Sequence, residues 1–96
     1  MGGPEVFAVV VRETGEQDQL DASGPHLEAN VLPRVRQAPG FVSGVWMTDK
    51  AGRTLNVLVF ESEDTARGAL AMTRNAPRPG FIRLESAELY AVRART

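Results

Sequence analysis

Phe41-Val42-Ser43-Gly44-Val45-Trp46-Met47-Thr48 is followed by Asp49-Lys50-Ala51-Gly52 and then by Arg53-Thr54-Leu55-Asn56-Val57-Leu58-Val59-Phe60-Glu61. Two runs rich in β-branched and aromatic residues, separated by turn formers, describe a β-hairpin. A four-residue connection pairs Thr48 with Arg53. It sets Val42, Gly44 and Trp46 on one face with Val59, Val57 and Leu55, and Phe41, Ser43, Val45 and Met47 on the other with Phe60, Leu58, Asn56 and Thr54. A three-residue loop with a bulge inverts that parity.

Upstream of the hairpin, Leu27, Val31, Val35 and Ala38 recur at helical spacing, so residues 26–38 read as an amphipathic helix that Pro39-Gly40 ends. Pro33 lacks an amide hydrogen and crowds the preceding turn, which predicts a kink or break near residues 30–32. Downstream, Ser62 is a good N-cap, and Glu63 and Asp64 complement the helix dipole, so a second helix starts there and runs to about Asn75. Its apolar stripe of Ala66, Ala69, Leu70 and Thr73 is narrow and built of small residues. Residues 5–13 are Val- and Phe-rich with little alternation, as in a strand covered on both faces. Residues 82–93 form the last strand, and the polar stretch 14–25 reads as a plain connector.

The order strand, helix, strand, strand, helix, strand predicts an α+β, ferredoxin-like βαββαβ fold: a four-stranded antiparallel sheet with two helices on one face. Residues 1–96 form one domain, with an ordered core over about 5–94. The other face of the sheet is also apolar, and a chain of 96 residues cannot cover it alone. A homodimer paired sheet to sheet, as a dimeric α/β barrel, is therefore expected.

Composition narrows the function. Apolar residues make up 43% and charged residues 24%, as in an ordinary globular domain. The 11 basic residues are interspersed among 12 acidic ones for a net charge of -1, so no cationic stripe exists and nucleic acid is not an expected partner. With no cysteine, thiolate catalysis, iron–sulfur clusters and cysteine-bound zinc are excluded. Met1-Gly2-Gly3-Pro4 lacks the basic start and apolar core of a secretion signal, and the apolar run 6–11 is too short to span a bilayer. A cytoplasmic location without membrane contact is the expectation.

Pro39-Gly40-Phe41-Val42-Ser43-Gly44-Val45-Trp46, followed by Leu58-Val59-Phe60-Glu61-Ser62-Glu63-Asp64-Thr65-Ala66, resembles the dimeric α/β-barrel superfamily, and within it the antibiotic biosynthesis monooxygenase-like branch. The resemblance spans roughly residues 5–94. It implies paired ferredoxin-like units, each with a pocket between sheet and helices. It also implies one of several activities: cofactor-free oxidation of phenolic polyketides by molecular oxygen, haem degradation, or no catalysis at all. The haem-degrading members carry an Asn on the first strand, a Trp on a later strand and a His on the second helix. Here residues 5–13 hold no Asn, residues 62–75 hold no His, and Trp46 falls on the second strand rather than the third. The leading expectation is thus a cofactor-independent monooxygenase, with no cofactor and no metal, for a small aromatic or polyketide-like substrate. A non-catalytic ligand-binding or stress-response barrel is the alternative.

Candidate site residues follow from chemistry. Trp46 and Tyr90 combine a large apolar body with a polar tip, suited to stacking and orienting an aromatic ligand. Asn56 places an amide on an otherwise apolar strand, where it can hold a carbonyl or peroxide oxygen. Met47 and Met72 are adaptable apolar wall residues. His26 is the sole imidazole and the one side chain with ordinary acid–base range near neutrality. Trp46, Asn56, Tyr90 and His26 are the catalytic candidates; Trp46, Met47, Asn56, Met72 and Tyr90 are the expected pocket. Core packing accounts for Trp46 and Tyr90 equally well, and for Met47 and Met72 gap filling in the core is the better account. Arg34, Arg36, Arg74 and Arg78 read as solvated helix faces and ends.

Overall fold

Strand β1 (Phe7–Gly15) lies between β3 (Arg53–Phe60) and β4 (Ile82–Ala91), and β2 (Phe41–Thr48) flanks β3, giving the order β2-β3-β1-β4 with every pairing antiparallel. The computed structural model describes residues 5–96; Met1-Gly2-Gly3-Pro4, read above for signal features, lies outside the described residues. The interior position of β1 explains its unalternating sequence. Val9 and Val11 are buried on one face and Ala8 on the other. The architecture is the expected ferredoxin-like α+β fold.

Helix α4 (Glu63–Asn75) begins as its sequence predicts, with the Ser62 Oγ accepting the Thr65 amide at 3.2 Å. Its small stripe lies close on the sheet: Ala66 and Leu70 are buried, and Ala69 packs beside them. The core they complete joins Val9, Val11, Leu58, Phe60 and Ala87, with Val35 and Ala38 packed against it from the other helical segment. Both helical layers therefore share one face of the sheet. On the opposite face Val45, Met47 and Tyr90 remain 40–48% exposed.

The first crossover differs from expectation. Residues 14–25 are not a plain connector, because β1 runs on to Gly15 and is followed by α1 (Gln17–Ala22) and one turn, α2 (Gly24–His26). Gln17 donates to Asp21 at 2.8 Å across one helical turn. Leu20 leans against Gly15, where an added Cβ would lie 3.4 Å from its Cδ2. One apolar anchor is too few to produce a readable helical period. The break expected near residues 30–32 is present as a π-helical turn at Leu27–Val31, before α3 (Leu32–Arg36). Pro33 has no amide hydrogen for the i−4 carbonyl, and the ladder widens where that bond is missing.

The hairpin register also departs from the four-residue reading. Thr48 pairs with Thr54, not Arg53, so Trp46 faces Asn56 and Gly44 faces Leu58. The Asp49 carboxylate accepts from the Ala51 amide at 2.8 Å, the Arg53 amide at 3.0 Å and the Arg53 Nε at 2.7 Å, and the Asp49 amide donates to the Arg53 carbonyl at 3.0 Å, so the turn closes between Asp49 and Arg53, the first residue of β3. Lys50 (φ 65°) and Gly52 (φ 90°) supply the left-handed conformations needed by this turn of Lys50, Ala51 and Gly52, the shorter of the two loops read from the sequence. A one-residue slip exchanges faces, so Trp46 and Gly44 join the helix-covered side. An irregularity between Phe41 and Ser43 keeps Phe41 opposite Phe60 as expected, their rings edge to face at 5.9 Å.

Candidate functional site

The helix-covered face carries a groove of about 600 Å³ between α3 and α4. Leu58 and Phe60 form its floor. Val35, Ala38 and Pro39 form one wall, while Thr65, Gly68, Ala69, Met72 and Thr73 of α4 form the other. Two features of the sequence open this space. Gly40, at φ 73°, turns the chain into β2 so tightly that a Cβ there would sit 2.5 Å from the Thr65 Oγ1. Gly68 leaves a gap midway along α4, since a Cβ there would meet nothing within 4 Å.

Beside the floor, Trp46 folds back over Gly44. An added Cβ at Gly44 would lie 2.9 Å from the Leu58 Cδ2 and 3.0 Å from the indole Cζ3, so the missing side chain is what admits the ring. Asn56, the cross-strand neighbour of Trp46, points its Nδ2 toward the Glu13 Oε1 at 3.5 Å. Glu13 in turn forms an ion pair with Arg78 at 2.7 Å, both side chains only 16–17% exposed. Arg78 is therefore not the solvated arginine expected from sequence. It extends from the loop after α4 to the end of the sheet, while Arg74 bonds the Ala87 carbonyl at 2.7 Å.

Of the sequence-derived candidates, Trp46 and Asn56 are brought together on the helix-covered face, and Met72 stands at the groove edge, 72% exposed. Met47 and Tyr90 lie on the opposite, open face, so the five expected pocket residues do not line one cavity. His26 is exposed at the end of α2, its Nδ1 3.0 Å from the Asn30 Nδ2. Among the described residues no group of three His, Cys, Asp or Glu side chains is placed to hold a metal ion, and no helix is long and apolar enough to cross a membrane.

Glu13 was legible in principle. It follows Val9 and Val11 at intervals of two, so it shares their covered face, and a carboxylate there needs a cation. The groove glycines gave no such signal. Among the described residues the one clear electrostatic perturbation lies at the turn: hydrogen bonding to Arg53, then to the Ala51 and Arg53 amides, lowers the Asp49 pKa to about 2.

No protein-family model matches the sequence, and no curated protein sequence does. Solved structures match over nearly the whole chain. A monooxygenase candidate from Shewanella loihica PV-4 is 24% identical, with a TM-score of 0.68 over 99% of this chain and 100% of that one. The ActVA-Orf6 monooxygenase of Streptomyces coelicolor, solved with nanaomycin D, is 19% identical, with a TM-score of 0.60 over 97% and 92%. SnoaB, a cofactor-independent oxygenase of Streptomyces nogalater, is 24% identical, with a TM-score of 0.55 over 96% and 95%. The chain has the fold of these oxygenases. That agrees with the architecture implied by the Pro39–Trp46 and Leu58–Ala66 segments.

Proposed function

We propose that this protein is a cofactor-independent monooxygenase for a small aromatic or polyketide-like substrate, which binds in the groove between α3 and α4. The observation that carries the reading is the groove itself: about 600 Å³, floored by Leu58 and Phe60 and walled largely by apolar side chains. The shared fold with SnoaB and ActVA-Orf6 supports it.

The chemistry asks little of the protein. In a phenol or anthrone the substrate's own phenolate or enolate donates electrons to oxygen. A hydroperoxide forms at the activated carbon and loses water to leave a carbonyl. One oxygen atom ends in the product and the other in water, and the substrate methylene supplies all four electrons. The protein contributes orientation, a proton acceptor and exclusion of bulk water. The test is oxygen uptake with an anthrone, in the presence of a strong chelator. The reading predicts uptake well above autoxidation, with one oxygen consumed per quinone formed. A rate equal to buffer would overturn it.

The second reading, a non-catalytic binding or stress-response barrel, is favoured by one feature: the partly buried Glu13 and Arg78 charges are paired with each other and do not line the groove. Binding of aromatic ligands without oxygen uptake would decide for it. In either case we propose that the open sheet face, with Val45, Met47 and Tyr90 exposed, pairs with a second copy of the chain. The proposal retains the cytoplasmic location expected from the sequence.

A further inference from the structure

The two crossovers that cover the sheet are held in different ways. Helix α4 buries Ala66 and Leu70 in the core. The first crossover runs through consecutive helical segments from Gln17 to Arg36, yet none of them buries a residue. Among the described residues, Val35 is the one apolar side chain of these segments that packs against the core, joined by Ala38 just beyond α3. Leu20, Leu27, Val31 and Leu32 are half-buried and stand outside it.

Hydrogen bonding follows the same division. The Gln17 Oε1 accepts from the Gly52 amide at 2.9 Å and from the Thr48 Oγ1 at 3.2 Å, which ties the start of α1 to the hairpin turn. Among the described residues no hydrogen bond or ion pair joins residues 18–36 to the sheet or to α4. Their bonds are local, such as the Ser23 Oγ donating to the Leu20 carbonyl at 2.7 Å. Between the Gln17 latch and the Val35 anchor lies the π-helical turn Leu27–Val31, a break in the ladder where a helix bends readily.

A segment with a polar latch at one end, an apolar anchor at the other and few buried contacts between them opens at lower free energy than the sheet beneath it. We propose that residues 17–31 form a flap. It releases from the hairpin turn at Gln17 and bends at the π-helical turn, while the sheet, α3 and α4 stay folded. The crossover starts at the Thr48 end of β2 and finishes at the Phe41 end, so the flap passes the end of β2 that carries Trp46. Opening gives solutes a way to the indole without unfolding the core. The device stands apart from the reading of the groove as a substrate site.

Hydrogen exchange of the folded chain in low urea tests the proposal. Helical amides from Leu20 to Val31 should exchange about 100-fold or more faster than those of Val9, Val11 and Leu58, at rates nearly independent of urea, because a local opening exposes little surface. Gln17→Ala should speed flap exchange about ten-fold, the size expected of two lost hydrogen bonds. Gly24→Ala, whose added Cβ meets open space, should slow it about three-fold through helix propensity. A glutamyl endopeptidase gives a second readout, because Glu28 lies in the flap, Glu63 in the first turn of α4, and Glu85 and Glu88 on β4. Cleavage after Glu28 should precede cleavage at those three sites and follow the same order among the variants. Flap exchange with the urea dependence of the sheet, rates unmoved by both substitutions, or first cuts in α4 or β4 would each overturn the proposal.

Discussion

Gly68 and Gly44 shape the candidate site by what they lack. A Cβ at Gly68 meets open space, so Gly68→Ala should raise stability by about 0.5–1 kcal/mol through helix propensity alone, seen as a higher midpoint in urea. Gly68→Phe should leave the fold intact and fill the groove, which makes it the sharpest control for any ligand effect. Gly44 behaves in the opposite sense. Its added Cβ would crowd both Leu58 and the indole, so Gly44→Ala should displace Trp46 and destabilise by about 1–3 kcal/mol. Trp46 is the only tryptophan, so a shift of its emission maximum reports the displacement directly; an unchanged spectrum at unchanged stability would refute the packing described.

The elements show where sequence reading succeeds and where it stops. The strands and the Ser62 cap were legible because β-branched runs and an N-cap are local signals, and the break before Pro33 followed from one missing hydrogen. The face of Trp46 was not legible, because it depends on whether Thr48 or Asp49 stands opposite Arg53, and the Asp49 side chain settles that through three hydrogen bonds. The partnership of Glu13 with Arg78 joins residues 65 positions apart, beyond any local pattern. The groove escaped for the same reason, being a space between two helices and not a motif. Asp49 gives the testable consequence. Its pKa is depressed in the folded state, from 3.8 to about 2, so its contribution to the hairpin is complete above about pH 4 and is lost as pH falls through 2. Amide exchange at Ala51 and Arg53 should accelerate over that interval in the wild type, and the step should vanish in Asp49→Asn. An acid step that persists in the variant would assign it to another group.

At the scale of the whole molecule, one sheet face is covered by helices and the other bears the exposed Val45, Met47 and Tyr90 beside the half-buried Leu55 and Val57. Sedimentation at micromolar concentration should show a dimer. Val57→Asp should disrupt it while far-ultraviolet circular dichroism stays that of a folded α+β chain, because the added carboxylate lies on the open face. A monodisperse wild-type monomer would contradict the pairing. The central claim, that the groove between α3 and α4 is where an aromatic substrate meets oxygen, is tested most directly by turnover of an anthrone under ¹⁸O₂, with mass spectrometry of the quinone. The account predicts one ¹⁸O atom per product molecule, formed faster than by autoxidation, with the enhancement gone in Gly68→Phe. Product formation no faster than in buffer, or a rate indifferent to the filled groove, would contradict it.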